Sequence, residues 1–249
     1  MIDSHIHLDK YENVDQKIEC WQANGVTGVV AVSTDLKSSY QILDLKKRYP
    51  TFIFAAIGFH PEQPLPSEKD YLEWKRLVSS ERQLLSAIGE VGLPYYTKII
   101  SIKPYIEFLE EAMKLGRNED LPLSLHAVHN QAECVYHMLI QNSVTKAHFH
   151  WLKANPSTLH SIIKSGYYVS VTPEVCYRER DQLLVKDVPL HQLLLETDGP
   201  WPFNGPFEKK ETSPLFIRKM ANFIASIKSV TEEDVISQTT NNTKCLYSI

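Results

Sequence analysis

The chain has 249 residues, of which 43% are hydrophobic, 22% charged and 10% aromatic, the balance of a protein that can bury a large core. A formal net charge of −4 excludes a bulk basic footprint for nonspecific nucleic-acid binding. No apolar run approaches the roughly 18 residues of a spanning helix, and the opening MIDSHIHLDK lacks a basic stretch followed by an apolar one, so neither a membrane span nor a secretory signal is expected. Cysteines at 20, 134, 176 and 245 stand without any CxxC pairing, which argues against a disulfide framework and fits a reducing cytoplasm.

Hydrophobic periodicity alternates between short apolar runs and longer amphipathic stretches. In chain order, Ile2–Leu8 predicts a strand and Val14–Asn24 a helix, followed by strand Val26–Val32 and helix Leu36–Tyr49. Strand Phe52–Phe59 precedes helix Tyr71–Arg82, and strand Leu84–Val91 precedes helix Ile102–Arg117. Strand Leu121–His126 leads to helix Asn130–Gln141, strand Thr145–Trp151 to helix Ser157–Ser165, and strand Tyr167–Val171 to helix Glu174–Val185. A last strand, Gln192–Asp198, is followed by helices Ser213–Ile227 and Glu232–Leu246. Strands that alternate with helices imply parallel pairing through right-handed crossovers. Eight such units, averaging about 31 residues, predict an α/β TIM-type (β/α)8 barrel. An open doubly wound sheet is the alternative, and it would normally carry fewer strands. With no linker-like or low-complexity segment, residues 1–249 are read as one domain.

In such a barrel, function gathers at the C-terminal ends of the strands. The first strand ends in His5-Ile6-His7, whose imidazoles lie two residues apart and share a face. The fourth ends in Gly89-Glu90, a carboxylate that is costly to bury unless it meets a cation. The fifth ends in His126, the sixth in His148-Phe149-His150 and the eighth in Thr197-Asp198. Each alone reads most simply as structural; together they predict a metal centre. Imidazole and carboxylate suit transition divalent cations, and a carboxylate can bridge two of them. One ion would take His5, His7 and Asp198; a second would take His126 and a histidine of the sixth strand, with Glu90 between the two. Two such cations activate a water and clamp an in-line displacement at phosphorus. Asp198 is placed to accept the water's proton. Zn, Mn or Mg are the candidate metals.

These residues resemble a known family. Asp3-Ser4-His5-Ile6-His7-Leu8, Gly58-Phe59-His60-Pro61, Gly89-Glu90-Val91-Gly92-Leu93, Leu121-Pro122-Leu123-Ser124-Leu125-His126 and Leu195-Glu196-Thr197-Asp198-Gly199-Pro200 are similar, in order, to motifs of the TatD family of metal-dependent deoxyribonucleases, within the wider amidohydrolase-like superfamily. The closing Thr240-Asn241-Asn242-Thr243-Lys244-Cys245-Leu246-Tyr247 is similar to the family's TxxNAxxLF ending, so the resemblance spans the chain. It implies a TIM barrel, two divalent ions and hydrolysis of DNA phosphodiesters, often from the 3′ end of a strand. It also selects between the sixth-strand histidines: counting back sixteen residues from Gly166 gives His150, which is also nearer the strand's C-terminal end. His148 is then left a supporting role.

Three departures bear on substrate. His60-Pro61-Glu62 stands where GxHPH usually ends in histidine, Gly92-Leu93-Pro94 lacks the acid of GEIGLD, and Lys153-Ala154 stands where a small residue and glycine are common. An acid at position 62 would repel a phosphate backbone if it faced the site. His60 is placed to contact a substrate phosphate and completes the expected catalytic set with Glu90 and Asp198. Arg178, Arg180 and Lys153 are candidate phosphate contacts, and Tyr95, Tyr96 and Trp201 candidate base-stacking residues, each with surface or packing roles as the simpler reading. The leading expectation is a two-metal phosphodiesterase acting on single-stranded DNA ends. The alternatives are the same site hydrolysing a small amide, lactone or ester, and a non-catalytic adaptor that retains the metal.

Overall fold

The computed structural model describes residues 1–249. Eight strands form one parallel sheet in sequential order: β1 (Ile2–Ile6), β2 (Gly28–Val32), β3 (Ile53–Ile57), β4 (Leu85–Gly92), β5 (Leu123–Val128), β6 (Ala147–Lys153), β7 (Tyr168–Val171) and β8 (Leu193–Leu195). The sheet curls back on itself. Asp198 N–H donates to His5 O at 3.0 Å and His7 N–H donates to Gly199 O at 2.8 Å, so β1 meets the segment leaving β8. This is the expected TIM barrel.

Helices α1 (Val14–Ala23), α2 (Leu36–Arg48), α3 (Glu68–Ser80), α4 (Lys103–Asn118), α5 (Asn130–Gln141), α6 (Pro156–Lys164) and α7 (Glu179–Asp187) each follow one strand, and α8 (Phe216–Lys228) and α9 (Glu232–Tyr247) complete the chain. No helix is long and apolar enough to cross a membrane. Local chemistry sets several boundaries. α3 begins before the predicted Tyr71 because the Ser67 hydroxyl accepts from Asp70 N–H at 3.2 Å. Asp35 with Ser38, and Thr231 with Asp234, form reciprocal caps that start α2 and α9. The helix expected over Glu174–Val185 is divided: a 3-10 turn covers Pro173–Cys176, and α7 starts afresh at Glu179 after Tyr177 leaves helical geometry. β8 ends at Leu195, three residues short of Asp198, because Asp198 turns to φ +48°, a left-handed conformation that Asp tolerates better than most residues.

The strands are buried on both faces, which explains why they read as near-continuous apolar runs. Between strands and helices lies the main core, in which Trp74 of α3 is fully buried and donates its indole N–H to Ile57 O at 3.3 Å. Inside the barrel, Val30, Val32, Ala56, Ala87 and Leu194 pack with Leu246 and Tyr247 from the end of α9. That apolar plug leaves the opposite end, at the strands' C-termini, to the polar residues.

Candidate metal centre at the barrel mouth

Glu90 is the hub, fully buried at the end of β4. Small neighbours let the strands close around it: a Cβ on Gly89 would lie 2.6 Å from the Ser124 Cβ, and one on Gly92 would overlap the His126 carbonyl. Glu90 Oε2 lies 3.2 Å from His5 Nε2 and 3.6 Å from His7 Nε2. Its other oxygen, Oε1, lies 3.0 Å from His126 Nδ1, 3.1 Å from His150 Nε2 and 3.2 Å from His60 Nε2. Asp198 Oδ1 completes one side, 3.4 Å from His7 Nε2 and 3.8 Å from His5 Nε2. The structure therefore brings together all seven residues singled out in the sequence: His5, His7, His60, Glu90, His126, His150 and Asp198.

Three triads, His5–His7–Asp198, His5–Glu90–His150 and His60–Glu90–His126, each have ligand atoms within 4.8 Å of one another and can hold a cation. The first matches one expected ligand group. Around Oε1 the geometry adds His60 to the expected pair of His126 and His150. The residues fit a metal on structural grounds as well: His5 Nε2 and Glu90 Oε2 are buried and 3.2 Å apart, yet neither has a hydrogen-bond partner. Buried polar atoms are rarely left so. Facing acceptors of this kind are satisfied by a cation.

The electrostatics keep the two carboxylates and His5 in ligand form. Burial alone would push the Glu90 carboxyl up, but His60, His150 and His5, with the hydrogen bond to His126, hold it well below the usual carboxylate range. Asp198 is likewise lowered against its burial, by His7, His150 and His5. Burial, reinforced by His150, lowers His5 and keeps its imidazole neutral. His150 is raised, because Glu90 and Glu196 outweigh its burial.

Several supporting residues escaped the sequence reading. Ser124 Oγ lies 3.2 Å from His5 Nδ1, turning Nε2 toward Glu90. Glu196, fully buried, faces His150 Nδ1 at 3.1 Å and accepts from Trp151 N–H at 2.8 Å. Both carried a signal, since Ser124 shares a strand face with His126, and Glu196 precedes Asp198 by two residues. His148 turns away from Glu90, its Nδ1 lying 2.7 Å from the Tyr247 hydroxyl. Glu62 does face the site, with Oε1 3.2 Å from His126 Nε2.

Above the hub opens a cavity of about 820 Å³, its rim carrying Lys10, Lys153, Glu174, Tyr96, Trp151 and Trp201. Lys153 Nζ sits 4.2 Å from the Trp151 ring centre and 3.0 Å from the Tyr96 hydroxyl. Tyr95 packs on His129, ring centres 4.4 Å apart. Arg178 and Arg180 pair with Glu174 at 3.4 and 2.6 Å, and Arg180 also pairs with Asp181 at 2.7 Å.

A family model described as TatD related DNase matches residues 2–248. The chain belongs to the TatD family. This TatD-family chain is 35% identical to an uncharacterized metal-dependent hydrolase of Haemophilus influenzae, the match covering 100% of both chains. It is 28% identical to human deoxyribonuclease TATDN3 over 99% of its own length and 94% of that protein. Its fold superposes on the crystal structure of the Escherichia coli TatD homologue YJJV with a TM-score of 0.90 at 21% identity, covering 100% and 98% of the two chains. Family and site chemistry together make it a metal-dependent hydrolase.

Proposed function

We propose that the protein is a two-metal phosphodiesterase that removes nucleotides from the 3′ end of single-stranded DNA. The observation that carries this reading is the placement of Glu90, whose two oxygens face separate histidine groups, His5 and His7 on one side and His126, His150 and His60 on the other. His5, His7 and Asp198 would hold one ion and His126 and His150 the other, with Glu90 shared. When bound, paired divalent cations make a water acidic enough to attack near neutral pH and offset charge on phosphoryl oxygens.

The protein's own groups do the rest. Asp198, held in its carboxylate form at the cavity floor, accepts the proton of the attacking water. His60 presents Nε2 to Glu90 and supports that carboxylate. Ser124 and Glu196 orient His5 and His150 from behind. Lys153 is available to a phosphate, and Tyr96 and Trp201 to the terminal bases. A closed floor suits the end of a strand better than the middle of a duplex. Four free cysteines support work in a reducing compartment such as the cytoplasm.

Glu62 and Glu174 in the cavity wall favour one second reading, a small amide, lactone or ester in place of DNA. The deciding experiment supplies Mn²⁺, Zn²⁺ or Mg²⁺ and follows a 5′-labelled single strand. Metal-dependent shortening from the 3′ end, abolished by Glu90→Ala and Asp198→Asn, is the expected result. Intact DNA beside efficient cleavage of a lactone or amide panel would establish the second reading.

A further inference from the structure

Glu62 lies on the loop between β3 and α3, and its carboxylate is gripped from an unusual direction. Three successive backbone N–H groups donate to it: Tyr95 to Oε1 at 2.6 Å, Tyr96 to Oε1 at 3.0 Å and Oε2 at 3.1 Å, and Thr97 to Oε2 at 2.6 Å. The Thr97 hydroxyl donates to Glu62 O at 2.9 Å, fastening the loop after β3 to the loop after β4. The carboxylate is thereby fixed in place before any ligand arrives.

An ionised carboxylate only accepts hydrogen bonds. At the 3.2 Å contact between Glu62 Oε1 and His126 Nε2, the proton therefore belongs to the nitrogen. A neutral imidazole protonated on Nε2 presents a lone pair at Nδ1. That atom faces another acceptor, Glu90 Oε1, at 3.0 Å. Between those two acceptors only a proton or a metal cation is favourable, and binding a metal there displaces the proton.

The backbone of the same residue assigns His60 the opposite character. Glu62 N–H donates to His60 Nδ1 at 3.1 Å, which leaves the neutral ring's proton on Nε2, the atom 3.2 Å from Glu90 Oε1. His60 thus meets this carboxylate oxygen as a donor, whereas a neutral His126 offers it a lone pair that only a cation can bridge.

We propose that Glu62 is a positioning residue that keeps the proton of His126 on Nε2 and so reserves Nδ1 for the metal shared with Glu90. This rests on the metal-centre reading above. A carboxylate behind a ligating histidine fixes its tautomer and raises its basicity, and losing such a partner typically costs about 10–100-fold in metal affinity. The acid at position 62, which in isolation argues against a phosphate substrate, thereby serves the metal while its charge is shared among three amides and an imidazole.

The test combines calorimetric zinc titration with ¹⁵N spectroscopy of the histidine rings in the zinc-loaded protein, for wild type, Glu62→Ala and Glu62→Gln. Wild type should bind through His126 Nδ1 and show a slowly exchanging Nε2–H. Glu62→Ala should weaken one zinc step by about 10–100-fold, leave the other unchanged and speed exchange of that proton. Glu62→Gln, whose amide oxygen still accepts from Nε2–H, should fall between. Coordination through His126 Nε2, or two unaltered binding steps in Glu62→Ala, would overturn the proposal while leaving the two-metal reading intact. Wild type that takes a single zinc would overturn the two-metal reading; which His126 nitrogen keeps its proton would still decide the role of Glu62.

Discussion

Glu196 stands directly behind His150: its Oε1 lies 3.1 Å from Nδ1, while Nε2 of the same ring lies 3.1 Å from Glu90. The ring is held from both edges, and Glu196 Oε1 also accepts from Trp151 N–H at 2.8 Å. Removing Glu196 frees the ring and leaves the Trp151 amide to Ser170 Oγ alone, 3.0 Å away. Glu196→Ala should therefore lower metal affinity or kcat/KM by about 10–100-fold, read by metal titration and by DNA cleavage at saturating metal. Unchanged values in both assays would reduce Glu196 to a packing residue.

Trp201 is exposed on the cavity rim, and its ring centre lies 6.1 Å from that of Trp151. A base stacked on an aromatic ring contributes about 1–3 kcal/mol. If the rim receives a terminal base, Trp201→Ala should raise KM for a single strand on the order of 5- to 150-fold, with little change in kcat. A KM identical to wild type would place the base elsewhere.

Stability should depend most on the layer between barrel and helices. Trp74 is fully buried there, packed against Phe59 and Phe108 with ring centres 5.9 and 5.6 Å away. Trp74→Ala creates a cavity and removes the indole donor to Ile57 O, an expected loss of about 3–5 kcal/mol in urea unfolding. A loss below about 1 kcal/mol would mean the surrounding rings collapse into the space.

Acid should weaken the loop that Glu62 fastens. Burial would push its carboxyl up, but hydrogen bonds from His126, the amides of Tyr96 and Tyr95, and Thr97 hold it below the usual range. A lowered folded-state value contributes stability that is complete above the unfolded value, about 4.3, and is lost as pH falls below it toward the folded one. The Tm of wild type should therefore exceed that of Glu62→Gln at about pH 5.5, and the gap should narrow as pH falls through about 4. A gap that widens in acid would contradict the assignment. Near neutral pH, His126 faces Glu62 from β5 and is held above the usual imidazole range, its carboxylate partners outweighing burial, so the comparison belongs below its titration.

Barrel class, strand number and the identities of the mouth residues were legible in the chain because each rests on local rules. Periodicity reports burial, and a polar residue that ends an apolar run reports the strand mouth. Thus His5, His7, Glu90, His126 and Asp198 could be named one strand at a time, while choosing His150 over His148 drew on the family resemblance. Boundaries were less legible where tertiary contacts outrank propensity. β8 stops at Leu195, and the chain beyond it is placed by Asp198 N–H bonding to His5 O at 3.0 Å, a partner 193 residues earlier in the chain. Which nitrogen faces which oxygen was invisible in the same way. The Tyr247 hydroxyl that turns His148 aside, at 2.7 Å, comes from the last helix, and the amides that hold Glu62 come from the loop after the next strand. One-dimensional pattern encodes burial and spacing, so it determined the barrel and its polar mouth; barrel closure sets long-range angles and partners, and that alone decided how each imidazole is aimed.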